Sequence, residues 1–330
     1  LSAERSRSVN LQAFKLDKQS RIVRAVSSVQ KASGLNRHAN LETDPRELRA
    51  MVFDCVEIVT PPPLFDVRSL SSLYKAKLFD ARRGRAPDLY NLDIRGGLMA
   101  AFVPPETRWQ LLARGGETTP RMLFLNVVER DDEQAEDARK DTVGFDPLKP
   151  LPNLPSYVSA RDYWRINERR LRGFRRAGIK SRAIEAIHAR AKVSLDRADR
   201  ALERDDGDEL YRLASAALAD ELRVYQGVRR TADDVVRAVM FLLIGLLPFS
   251  IAMERLLFAS SDIYRQVLGT AAIFVAMCLV LWSFHPAFRI TNQPLMLVLA
   301  FLIIFLSTMV IGILVRRFLS DVERMRSGRA

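Results

Sequence analysis

Side chains able to ligate metals or attack substrates are few and widely separated in this 330-residue chain. His38, His188 and His285 are too scattered to gather around one ion, and Cys55 and Cys278 are its only thiols. A structural zinc centre needs four Cys or His side chains, paired at short spacings, so none is expected. Two cysteines also exclude a disulfide-rich scaffold. There is no Gly-rich phosphate loop ending in Lys-Ser or Lys-Thr, no H-E-x-x-H, and no G-x-S-x-G elbow. Nucleotide hydrolysis, zinc proteolysis and esterase chemistry therefore lack their usual residues. Asp205, Asp206, Asp208 and Glu209 stand together but lack the spacing of a calcium loop. A helix N-cap accounts for them. No catalytic, cofactor or metal site is expected.

The elements around these residues are more informative. The chain is 48% hydrophobic and 27% charged, with a formal net charge of +12. Its long apolar runs all lie after Ala238, and they predict three transmembrane helices at 238–258, 267–284 and 295–315. Spanning about 30 Å of hydrocarbon takes about 20 residues at about 1.5 Å each. The third run is apolar all round, whereas a soluble helix would carry a polar face. Seven residues are expected at the membrane interfaces: Arg237, Glu254, Arg255, Trp282, His285, Arg316 and Arg317. Pro248 removes a backbone donor from the first span and should kink it. Basic residues slightly favour a cytoplasmic tail, 316–330, with the large N-terminal region outside.

Ahead of the spans, residues 159–237 read as helical. Ser159 and Asp162 look like the capping pair of a helix from Ala160 to Arg176 that ends near Gly178. A second helix opens at Ser181 and carries Ile184, Ile187, Ala191, Leu195, Ala198 and Leu202 at three- and four-residue steps. After a break at Asp205-Asp206-Gly207-Asp208, a third presents Tyr211, Ala214, Leu218, Leu222 and Tyr225, and runs on into the first span. The two make an antiparallel hairpin. Eight basic residues between Arg161 and Lys180 face only Asp162 and Glu168. Without a reading fold or a stacking platform they suggest a solvated or headgroup-facing surface, not nucleic-acid binding.

Residues 1–142 predict a small β-rich soluble domain. Its strand-like runs are Met51–Val59, Gly97–Val103, Arg108–Leu112 and Met122–Val128, separated by Pro and Gly clusters. A proline-spaced linker, 143–158, follows. The fold class expected is thus an α+β membrane protein, with a β-rich domain, a helical hairpin and three spans. Leu1 in place of Met suggests a processed chain or a piece of a longer one.

The stretch Leu246-Leu-Pro-Phe-Ser-Ile-Ala-Met-Glu-Arg-Leu-Leu-Phe258, then Asp262-Ile263, Gln266, Gly269 and His285-Pro286-Ala287-Phe288, resembles the FtsX-like (MacB-type) permease family. The motifs Gly144–Pro147 and Leu151–Pro155 look like the same family, in the segment upstream of its permease core. The resemblance covers roughly 143–318. It implies a multi-pass bacterial inner-membrane protein of ABC-transporter type, with the lipid bilayer and a separate ATPase subunit as partners. Self-association stays open. The permease core itself is not in these residues, so the alternative is a membrane-anchored binding or scaffold protein without transport.

Overall fold

A computed structural model describes residues 8–10, 12–28, 38–40, 51–59, 64–115, 119–128, 142–149, 151, 154–258 and 263–284, with scattered positions between 303 and 325. The chain divides into two compact units. One comprises Leu1–Arg169 and Arg182–Tyr225, the other Arg170–Ser181 and Gln226–Ala330. The fold is mixed α+β, with small sheets preceding helices.

Short runs between turn residues give β1 (Ser8–Asn10), β2 (Phe14–Leu16), β3 (Ile22–Val26), β4 (His38–Asn40), β5 (Val52–Asp54) and β6 (Val56–Val59). They are followed by β7 (Lys75–Asp80), β8 (Asn91–Arg95), β9 (Leu98–Val103), β10 (Trp109–Arg114) and β11 (Met122–Phe124). Pairing is antiparallel throughout, in sheets ordered β1-β4, β2-β3-β5, β6-β9-β8 and β11-β10-β7. The run Met51–Val59 is two strands interrupted at Cys55, since β5 and β6 belong to different sheets. Gly96 and Gly97 both have positive φ between the paired Arg95 and Leu98, the backbone a two-residue hairpin of matching twist requires.

The core of this unit centres on Trp109, whose ring lies 5.1 Å from Phe145 and 6.5 Å from Phe124. Trp109 and Phe145 exchange two backbone hydrogen bonds, at 3.0 and 2.8 Å. This pairing holds Gly144 at a φ of +71°, where an added Cβ would sit 2.8 Å from the Ala81 Cβ. Only glycine fits there.

The helices are α1 (Pro155–Arg176), α2 (Arg182–Glu203), α3 (Gly207–Leu257) and α4 (Ile263–Phe284). The unit boundary falls inside α1 after Arg169 and inside α3 after Tyr225. α1 starts at Pro155, whose fixed φ and missing N–H suit a first turn. Ser159 and Asp162 are therefore not its cap. They lie inside the helix, and their side chains leave it for the sheet. At the other break the expectation holds: the Asp206 Oδ1 accepts from the Glu209 N–H at 3.0 Å. The buried stripe of α2 is His188, Ala191, Leu195, Ala198 and Ala201, and that of α3 includes Leu210, Ala214, Leu218 and Leu222. Tyr211, expected on this face, points outward.

In the second unit, α3 and α4 pack through a core of Val239, Leu243, Leu246, Phe274 and Cys278. α3 is long and apolar enough to cross a membrane, and most of its apolar stretch is exposed. α4 contributes a shorter apolar stretch, Arg265–Leu281. The expected third span, 295–315, lies largely outside the described residues. At Ile303, Ile304, Ile311, Leu314 and Val315 the backbone is helical and the side chains are exposed.

Candidate functional site

Two buried polar arrangements stand out, one in each unit. In the first, the spacing of α2 brings His188 into its apolar stripe, where the ring is 5% exposed. The His188 Nδ1 lies 2.9 Å from the Glu221 Oε1 of α3, and the Nε2 lies 3.1 Å from the Glu168 Oε2 of α1. The Asn167 Nδ2 donates to the other Glu221 oxygen at 2.7 Å and to the Glu221 carbonyl at 3.0 Å. Trp164 stacks on the imidazole at 5.3 Å, and the Lys192 ammonium lies over the indole ring, 4.9 Å from its centre. Three helices therefore meet on one ring.

Burial pulls His188 down, but the bonds and charges of Glu221 and Glu168 outweigh it and hold the imidazole above its ordinary value. Burial also pushes the Glu221 carboxyl up, against the pull of His188 and Asn167. Both directions mean that the folded cluster holds protons more tightly than the unfolded chain. Both imidazole nitrogens face carboxylates, so neither is turned toward a metal. Among the described residues no group of three or more His, Cys, Asp or Glu is arranged to hold one. The cluster can store a proton and fix three helices. It offers no nucleophile.

α1 is also clamped to the outer edge of β11. The Ser159 Oγ accepts from the Leu123 N–H at 2.9 Å. The Asp162 carboxylate accepts from the N–H groups of Leu125, Asn126 and Val127 at 2.7, 3.1 and 2.9 Å. Tyr163 donates to the Pro120 carbonyl at 2.7 Å, and Arg165 donates to that of Val127. Burial pushes the Asp162 carboxyl up, while the three N–H donors and Arg165 pull it back. Of the basic residues of α1, Arg165 serves the β11 loop, while the exposed Arg161 donates to the Tyr157 hydroxyl one turn back at 3.1 Å. Cys55 offers no reactive thiol, because burial, with Asp54 and Glu57 beside it, pushes it up to about 11.

The second arrangement lies between α3 and α4. Residues 239, 243, 246, 250 and 254 recur at three- and four-residue steps on the packed face of α3, and Thr270, Phe274 and Cys278 do so on α4. Glu254, Ser250 and Thr270 are each 0% exposed. Ser250 and Thr270 donate to carbonyls one turn back, those of Leu246 and Gln266, both at 2.8 Å. Neither Glu254 carboxyl oxygen has a hydrogen-bond partner. Gly269 makes room for this side chain, since a Cβ there would come within 3.3 Å of the Glu254 Cγ. Outward, the pair shows large apolar side chains: Phe241 is 78% exposed, Leu256 79% and Leu268 72%.

The other expected interface residues fall as follows. Arg237 is exposed on α3, 3.8 Å from Asp234. Arg255 is exposed, and its Nε and Nη2 lie 3.2 Å from the side-chain amide oxygen of Gln266 when that amide is set to accept. α3 continues through Pro248 to Leu257. Trp282 is in the last turn of α4, its side chain outside the described residues, as are His285, Arg316 and Arg317 altogether. The structure thus brings Arg255 to Gln266 and turns Glu254 inward. The sequence signal for Glu254 was present in the spacing from Val239 through Ser250, which places it on the packed stripe.

No protein-family model matches this chain, and neither a curated protein nor a solved structure is found to match it.

Proposed function

We propose that this chain is the integral membrane portion of an FtsX-like ABC-type permease protein, anchoring an α+β extracytoplasmic domain in a bacterial inner membrane. The observation that carries the membrane reading is the inverted burial of the α3–α4 pair. Glu254, Ser250 and Thr270 lie inside while Phe241, Leu256 and Leu268 face out. Water would penalise so large an apolar exterior, whereas lipid accepts it and drives polar groups to helix interfaces. The distance from Arg237 to Arg255 is also suitable, about 27 Å at about 1.5 Å per residue, against a hydrocarbon layer of about 30 Å. The second and third spans, at 267–284 and 295–315, complete a multi-pass anchor in this reading, with the tail in the cytoplasm. The permease assignment rests on the ordered motifs from Gly144 to Phe288.

The test is purification of the full protein in mild detergent from membranes washed with carbonate. Retention in the washed membrane together with a co-purifying ATPase subunit is the expected result. Retention without any ATPase favours the anchored scaffold without transport. Release by carbonate overturns both. A cysteine placed after Arg326 should be shielded from an impermeant thiol reagent in intact cells, and its labelling would reverse the orientation.

A further inference from the structure

The second unit joins two segments distant in sequence, Arg170–Ser181 from the end of α1 and the chain from Gln226 onward. The Asn167 side chain bonds the Glu221 carbonyl at 3.0 Å, so α1 and α3 are in contact just before both pass into this unit. Its α1 segment carries Arg170, Arg172, Arg175, Arg176 and Lys180 with no acid. The α3 segment, up to the edge of the first span, carries Arg229, Arg230 and Arg237 against Asp233 and Asp234. Eight basic residues over two acidic ones leave an excess of six positive charges at the foot of the apolar stretch. Leu171 and Phe174 are buried, while Arg170, Gly173 and Arg176, at three-residue steps, are exposed. Lys180, Arg229, Arg230 and Arg237 are exposed as well. The helix dipole accounts for Arg175 and Arg176 in the last turn of α1, but not for the rest. Of the acids that precede on the same helices, Glu168 faces His188 and Asp220 holds Arg190 at 2.7 Å.

We propose that these residues form a collar that binds the anionic headgroups of the leaflet into which α3 passes. The chemistry is recognition of phosphate diesters by guanidinium and ammonium groups, held at the bilayer by the span itself. Arg229 and Arg230 precede Arg237 by about 10–12 Å at about 1.5 Å per residue. A headgroup layer is about 5–7 Å deep, so they stand at its outer edge, near one Debye length of about 10 Å. In the three-span reading, residues 285–294 return to the same side and add Arg289 without an acid. The inference rests on the membrane reading above and goes beyond it in naming the lipid class.

The test uses the full chain carrying Gly173→Cys, an exposed position where an added side chain meets nothing within 4 Å. Cys55 and Cys278 are buried, so a thiol-reactive fluorophore marks the collar. The labelled protein is reconstituted into vesicles of phosphatidylglycerol and phosphatidylcholine, or of phosphatidylcholine alone, each with a trace of lipid bearing a quencher on its headgroup. Strong quenching is expected in the anionic vesicles and weak quenching in the zwitterionic ones. Raising salt from about 0.1 M to about 1 M, which shortens the Debye length from about 10 to about 3 Å, should abolish the difference. Arg170→Gln, Arg176→Gln and Lys180→Gln combined should abolish it too, whereas Arg170→Lys with Arg176→Lys should keep it. Equal quenching in both vesicles, or none in either, in protein that resists carbonate overturns the inference and leaves the membrane reading intact. So does a difference that survives high salt. Relief of quenching by inorganic phosphate or duplex DNA at constant ionic strength also overturns it, making the collar a site for a soluble anion or for nucleic acid. Release of the protein by carbonate instead removes the membrane reading itself.

Discussion

The imidazole of His188 is held by carboxylates from two other helices, and this gives the fold a defined response to pH. A group whose folded value is raised contributes stability that is complete below its unfolded value and is lost as pH rises through the folded one. His188 starts from 6.5 and is raised, and Glu221 starts from 4.5 and is raised, so both act in the same sense. The detergent-solubilised protein should therefore lose thermal stability as pH climbs from about 6 through neutrality and beyond. His188→Gln should flatten that dependence. A midpoint that rises with pH in this range would contradict the assignment. None of this was visible in the sequence, where His188 stood alone. Its partners lie 20 and 33 residues away on different helices. A periodicity count that treats His as polar omits it from the stripe it occupies. The burial of Glu254, expected only as an interface residue, escaped for a related reason. A charge near the end of an apolar run reads as interfacial, and only the match between its phase and that of Val239 and Leu243 shows it turned inward.

At the scale of elements, the α1–β11 junction depends on side chains in the middle of a helix acting as acceptors for a strand's outer edge. Asp162→Ala would leave three N–H groups without an acceptor, at about 1–3 kcal/mol for each one that stays dry. Asp162→Asn keeps a carbonyl oxygen and should lose less. Thermal unfolding of the pair against wild type checks the order. Gly144→Ala forces a side chain into a left-handed backbone and against Ala81 and the carbonyls of Trp109 and Arg108. It should destabilise by about 2 kcal/mol or more, read in the same assay. Sequence patterning found β9 and β10 because their apolar runs are continuous and bounded by Pro or Gly. It passed over β7 and β8, Lys-Ala-Lys-Leu-Phe-Asp and Asn-Leu-Asp-Ile-Arg, whose apolar residues alternate with charge. Those strands owe their existence to pairing with β10 and β9, which composition does not reveal. Ser159 and Asp162 misled because a helix N-cap and a strand-edge acceptor use the same residue types.

For the whole molecule, the exposed apolar surface of the second unit makes a prediction that a water-facing surface would not. Ile244 is 57% exposed on α3, within the apolar stretch. On a water-facing helix, Ile244→Arg would be nearly neutral. In lipid it should impair insertion by about 2.5–3.5 kcal/mol, measurable by glycosylation mapping of the span. The β-rich unit carries a different consequence. The Leu123 N–H of β11 and the Leu125, Asn126 and Val127 N–H groups just beyond it are all engaged by α1, so none of these donors is open to an incoming peptide. Recruitment by strand augmentation is closed along that border, and any partner that zips onto this domain must begin elsewhere.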